Sequence, residues 1–98
     1  MTLLNYSYAK LKDMDAFKAY VGAAAPLMVE LGVEVVVRGR YAHALRGEAP
    51  GAEVGAVFRF RDAAHADRFY GDVRYQALVP LRDQACDMTI HFYEEIPA

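Results

Sequence analysis

Tryptophan is absent and cysteine occurs once, at Cys86, so neither an internal disulfide nor a multi-cysteine metal cluster is available. A lone thiol fits a reducing compartment. Long apolar runs are missing as well, and nothing approaches the roughly 18–20 continuous apolar residues that a spanning helix needs, so no membrane partner is expected. The opening stretch MTLLNYSYAKLKDMD has neither the basic start nor the unbroken apolar middle of a secretory signal, because Asn5, Ser7 and Lys10 interrupt it. Cytoplasmic location is the expectation. Excess positive charge is lacking too: the net charge of −2 argues against binding duplex nucleic acid, which needs Lys and Arg in surplus on one face. There is no glycine-rich phosphate loop and no nucleophile elbow. Histidines number three; His43 and His65 are far apart in sequence, and His91 and Glu94 would point to opposite faces of a strand, so no metal site is expected. His65 is expected on an exposed helical turn. No cofactor is expected either.

What is present reads as one domain over residues 1–98, 55% hydrophobic and 24% charged, large enough to fold alone with a thin core. LLNYSYAKL alternates as a first strand. Asp13 or Asp15 caps a helix whose apolar positions, from Phe17 to Leu31, recur at helical spacing until Gly32 stops it, with Pro26 as an internal disturbance. VEVVV begins a second strand that runs toward Ala44 with a bulge or twist at Gly39, RGEAPGAE is turn chemistry, and EVGAVFRF is a third strand. Asp62 caps a second helical segment, interrupted or restarted at Pro80, and DMTIHFYEE closes the domain as a fourth strand. The order β-α-β-β-α-β predicts a ferredoxin-like α+β sandwich: a four-stranded antiparallel sheet, order 4-1-3-2, with two helices on one face. Its other face is left uncovered, and the expected remedy is a second copy, giving a homodimeric α+β barrel.

Strand parity then sorts the side chains. Val33, Val35, Val37, Val54, Ala56, Phe58, Phe60, Met88, Ile90 and Phe92 are assigned to the helix side. The opposite parity holds Arg38 and Arg40, Arg59 and Arg61, then His91, Tyr93 and Glu95. On the first strand Tyr6 and Tyr8 are preferred over Asn5 and Ser7 as their companions. This predicts a cleft on the sheet face that binds a small anionic or oxygenated molecule, with Arg38, Arg59, Tyr8 and Tyr93 as ligand contacts and His91 or Tyr6 as acid/base. The plainer alternative is a non-catalytic dimeric module in which the arginines pair with Glu34, Glu53 or Glu94 and the tyrosines fill an interface. Single-stranded nucleic-acid binding through Arg38, Arg40, Tyr41 and Arg46 ranks last, since the net positive charge is lacking. Cys86, flanked by Asp83 and Asp87, reads as a packed thiol.

The stretches DMDAFKAYVGAAAP, VVVRG and FRFRDAAHADRFYGDVRYQALVPLRDQA resemble the small bacterial proteins grouped as domain of unknown function 1330. The matching positions include Asp13, Phe17, Tyr20, Pro26, Gly32, Arg38, Gly39, Phe69, Tyr70, Tyr75, Gln76, Leu81 and Arg82. The resemblance implies a ferredoxin-like fold that dimerises sheet to sheet. It also implies membership of a superfamily that includes cofactor-free monooxygenases, haem-degrading enzymes, muconolactone-type isomerases and polyketide cyclases. The chain departs from the pattern at Arg40, where a glycine is usual, and at Asp72-Val73-Arg74, where Ser-Pro-Glu is usual.

Overall fold

The computed structural model describes residues 1–98. In chain order it contains β1 (Leu3–Leu11), α1 (Met14–Glu30), β2 (Glu34–Arg40), β3 (Val54–Phe60), α2 (Ala63–Gly71), α3 (Val73–Gln76), α4 (Val79–Ala85) and β4 (Cys86–Glu94). The four strands form one antiparallel sheet in the order β2-β3-β1-β4, which makes the fold ferredoxin-like. No helix is long and apolar enough to cross a membrane.

Local chemistry explains most of the boundaries. The Asp13 carboxylate caps α1 by accepting from the Ala16 N–H at 3.0 Å. α1 runs through Pro26 unbroken and ends where Gly32 takes φ 73, which lets the Val33 N–H reach back to the Met28 carbonyl at 2.9 Å. Asp62 caps α2 through the His65 N–H at 2.8 Å. The second helical segment, expected to be interrupted or restarted at Pro80, is three short helices, the last of which starts there. Asp72 is extended and caps α3 through the Arg74 N–H, and Pro80 stands in the first turn of α4, where its missing N–H costs nothing.

The core is made by Tyr20, Ala24, Leu27 and Met28 of α1, Val33 just before β2, Phe58 and Phe60 of β3, and Ala66, Phe69 and Tyr75 of the later helices. A smaller cluster joins Ala9, Ala16, Ala85 and Cys86. The thiol of Cys86 donates to the Arg82 carbonyl at 3.5 Å, and burial pushes its pKa up, so it is a packed thiol. His65 is buried, contrary to its expected place on an exposed turn. It shares a helix face with Phe69 four residues on, its Nδ1 accepts from the Arg61 N–H at 3.0 Å, and its Nε2–H donates to the Leu31 carbonyl at 2.7 Å.

The strand β2 corrects the expected parity. Val35 lies opposite Phe58, but Val37 lies opposite Val57, so Val36 is one residue too many and forms a bulge, three positions before the Gly39 bend expected from sequence. Residues directly opposite across a ladder share a face, so every side chain after the bulge changes sides. Val37 therefore joins the open face, while Arg38, opposite Ala56, and Arg40, opposite Val54, lie on the helix side. The strand also ends at Arg40 rather than running on toward Ala44.

Candidate functional site

On the open face the register of β1 places Leu4 between Arg59 and Tyr93, Tyr6 between Val57 and His91, and Tyr8 between Gly55 and Thr89. The expected grouping of Tyr6, Tyr8, His91 and Tyr93 is present: these four line one shallow depression of about 310 Å³. Tyr6 and Tyr93 meet edge to face with ring centroids 5.1 Å apart, and the Tyr8 ring lies over Gly55.

Arg59 shares this face but is already occupied. Its Nε and Nη2 donate to the two oxygens of Glu95 at 2.8 and 3.1 Å, and its Nη1 contacts Glu34. Glu95 also accepts from the Thr2 hydroxyl at 2.9 Å. The hydrogen bond to Glu95 raises the Arg59 pKa, and the same bond holds the Glu95 carboxyl below its ordinary value. The Asp62 carboxyl is lowered by the His65 N–H, and that of Asp72 by hydrogen bonding to Arg74. Depressed folded values mean stability that is present above the ordinary carboxylate range, about pH 4, and lost as pH falls through the lowered values. Thermal melts followed by circular dichroism in steps from pH 7 to pH 2 are expected to hold level down to about pH 5 and fall below about pH 4. A melting temperature unchanged at pH 2 would contradict these pairs.

Arg38 is elsewhere. Because of the bulge it stands across the sheet from Arg59, at the wall of a cavity of about 170 Å³ between α1 and the sheet. Val21, Ala24, Ala25 and Met28 of α1 face Ala56 and Phe58 of β3 across this space, and of its fourteen lining residues all but Arg38 and Ser7 are aliphatic or aromatic. The alanines are the local reason for the space: α1 presents methyl groups where larger side chains would reach the sheet. Arg38 is exposed at the cavity wall and makes no ion pair or side-chain hydrogen bond. Glu34, the carboxylate expected to satisfy it, is bound to Arg59 instead.

Behind the cavity is a polar chain that parity on β1 placed away from the site. Asn5 is fully buried, donates from Nδ2 to the Tyr70 hydroxyl at 2.6 Å, and accepts from the Ser7 hydroxyl. The hydroxyls of Tyr20 and Tyr75 are 2.9 Å apart, and Arg82 donates to that of Tyr75 at 3.2 Å. Burial drives the Tyr20 and Tyr70 phenols well above their ordinary value, so both are neutral. The cavity therefore has one unpaired arginine, Arg38, at its wall, while the hydroxyls of Tyr20 and Tyr70, which also line it, are engaged with Tyr75 and Asn5. Two polar residues in alternation with Leu3 and Ala9 were the available sign of this chain; its partner Tyr70 lies 65 positions away. Among the carboxylates, histidines and Cys86, no three converge as metal ligands.

Residues 6–96 match the family described as Domain of unknown function (DUF1330). No curated protein matches the chain. Among solved structures, a protein of unknown function from Rhodopseudomonas palustris is similar with a TM-score of 0.84 at 18% identity, over 99% of this chain and 84% of that one. A dimeric ferredoxin-like protein of unknown function from Jannaschia gives 0.76 at 13% identity, over 97% of this chain and 100% of the other. A dabb family protein with a ferredoxin-like fold from Mesorhizobium loti gives 0.73 at 16% identity, with 98% of both chains covered.

Proposed function

This chain belongs to the DUF1330 family, and from that premise we propose that it is a homodimeric binding module. Two open sheet faces pack together, and each subunit holds a small molecule with an apolar body and an anionic or oxygen-bearing group. The observation that carries the binding half is the unpaired Arg38 beside an otherwise apolar cavity. A guanidinium grips a carboxylate in a fork. The volume, about 170 Å³, is close to that of a cavity that takes benzene, about 150 Å³, so the body is the size of one ring. A guanidinium holds and polarises an oxygen; it does not attack one. Binding is therefore the activity that this geometry favours.

The dimer half is supported by the open face itself, where Tyr8, Val37 and Tyr93 are exposed in the single chain with Leu4, Tyr6 and Val57 between them. It is also supported by the Jannaschia relative, which is described as dimeric. Sedimentation equilibrium is expected to give twice the 10.9 kDa of the chain. Calorimetric titration with 3-phenylpropanoate is expected to show binding that Arg38→Met weakens roughly 10- to 100-fold, the effect of losing a charged hydrogen bond, with the dimer unchanged. Equal affinity in that variant would remove the binding reading, and a monomer would remove the dimer.

A second reading is favoured by the convergence of Tyr6, Tyr8, His91 and Tyr93. Facing copies would roof that depression into a cleft between subunits, with His91 and Tyr6, neighbours across the ladder, as acid and base and Tyr8 and Tyr93 as walls. Arg59, neutralised by Glu34 and Glu95, would be a weak anchor there. On this reading His91→Ala and Tyr6→Phe abolish binding or turnover while Arg38→Met does not, the reverse of the pattern expected above.

A further inference from the structure

Arg38 lines the cavity, and a second arginine, Arg40, follows it on the same face of β2 just outside the lining. Arg38 lies opposite Ala56 and Arg40 opposite Val54, and both Ala56 and Val54 are cavity walls. Gly39, between them, points to the open face opposite Gly55. Alternate residues of a strand are about 6.6 Å apart at the backbone, so the two flexible side chains rise from the same side within reach of one small molecule. Neither makes an ion pair: Glu34 is held by Arg59, and the Glu53 carboxylate is turned to the Leu11 N–H at 2.8 Å. Two like charges on one face, neither of them in an ion pair, repel each other. A bound group with two negative charges would relieve that repulsion, whereas a single carboxylate would leave one guanidinium unanswered.

Resting on the reading of this cavity as the binding site, we propose that Arg40 sets its specificity. The site selects a compact apolar molecule whose polar end is dianionic, of the short dicarboxylate class, with Arg38 holding the carboxylate nearer the cavity and Arg40 the outer one. The cavity takes the apolar body and the paired guanidiniums read the charge. Both arginines are exposed on an edge strand, so replacing either leaves the core intact.

The test is calorimetric titration at low salt with probes that share one apolar body. Phenylsuccinate carries two carboxylates, 3-phenylpropanoate carries one, and phenyl phosphate carries a dianionic phosphoryl head. Wild-type protein is expected to bind phenylsuccinate at least ten-fold more tightly than 3-phenylpropanoate. Arg40→Met is expected to bring that ratio to within two-fold, whereas Arg46→Met, which removes the same charge from the hairpin loop, keeps it. Phenyl phosphate binding tightest, with the same dependence on Arg40, would support selection of a dianion and assign it to a phosphoryl head. If 3-phenylpropanoate binds and the dianions bind no better, or if Arg46→Met removes the preference as fully as Arg40→Met, the role of Arg40 is overturned while the cavity remains a binding site. If none of the three binds, the reading of the cavity falls and this inference with it.

Discussion

Replacing Phe60 with alanine is expected to cost about 3–5 kcal/mol, the usual loss for a buried phenylalanine. Folded domains of this length are stable by only about 5–15 kcal/mol, so most of the margin would go. Phe60 closes β3, has no exposed surface, and its ring lies 5.3 Å from that of His65 and 6.0 Å from those of Phe69, Tyr70 and Phe92. It thus joins three of the chain's elements, β3, α2 and β4, and no neighbour can collapse into the vacated space without leaving its own contacts. Phe92 supplies the control. It touches the same cluster from β4 but is 43% exposed, so alanine there removes less buried surface and is expected to cost less than half as much. Urea unfolding followed by circular dichroism measures both. A cost at Phe60 below about 1.5 kcal/mol, or equal costs at the two positions, would mean that the core is not organised around this ring.

The order of elements and the faces of β1, β3 and β4 were legible because these strands alternate without interruption. Phe58 and Phe60 fall on the helix side, and Tyr6, Tyr8, His91 and Tyr93 fall on the other. The strand β2 was not legible for a specific reason. In VEVVV a slip of one residue exchanges valine for valine, so the hydrophobic pattern cannot report the extra residue at Val36. The consequence appears only at the charged end, where Arg38 and Arg40 pass to the helix side. That single register shift separates Arg38 from Arg59 and replaces the expected joint anchor with one neutralised arginine and one free one. The buried His65 had a sign in sequence, the spacing of four to Phe69, but a nine-residue helix gives too few turns for its buried face to be read from periodicity. Asn5 and Ser7 sit where parity puts core residues, and only the fold brings them to Tyr70.

Asn5→Leu is expected to destabilise the protein by about 2–4 kcal/mol, although it places an apolar side chain in a fully buried position. Asn5 is the partner of both the Ser7 and Tyr70 hydroxyls, and each buried polar group left without a partner costs about 1–3 kcal/mol. The size of the loss therefore reflects what remains behind rather than what is removed. Removing the whole chain, as Asn5→Leu with Ser7→Ala and Tyr70→Phe, is expected to recover most of the stability, because no unpaired donor or acceptor is then buried. A triple variant no more stable than the single one would show that the cost comes from poor packing of leucine at position 5. The same variant separates structure from binding. Ser7 and Tyr70 line the cavity on the side away from solvent, whereas Arg38 stands at its exposed wall on β2. If the hydroxyl chain only satisfies itself, the refolded triple variant binds 3-phenylpropanoate as the wild type does. If the Tyr70 hydroxyl donates to a bound oxygen, affinity falls while stability is restored, and the polar chain belongs to the site as well as to the core.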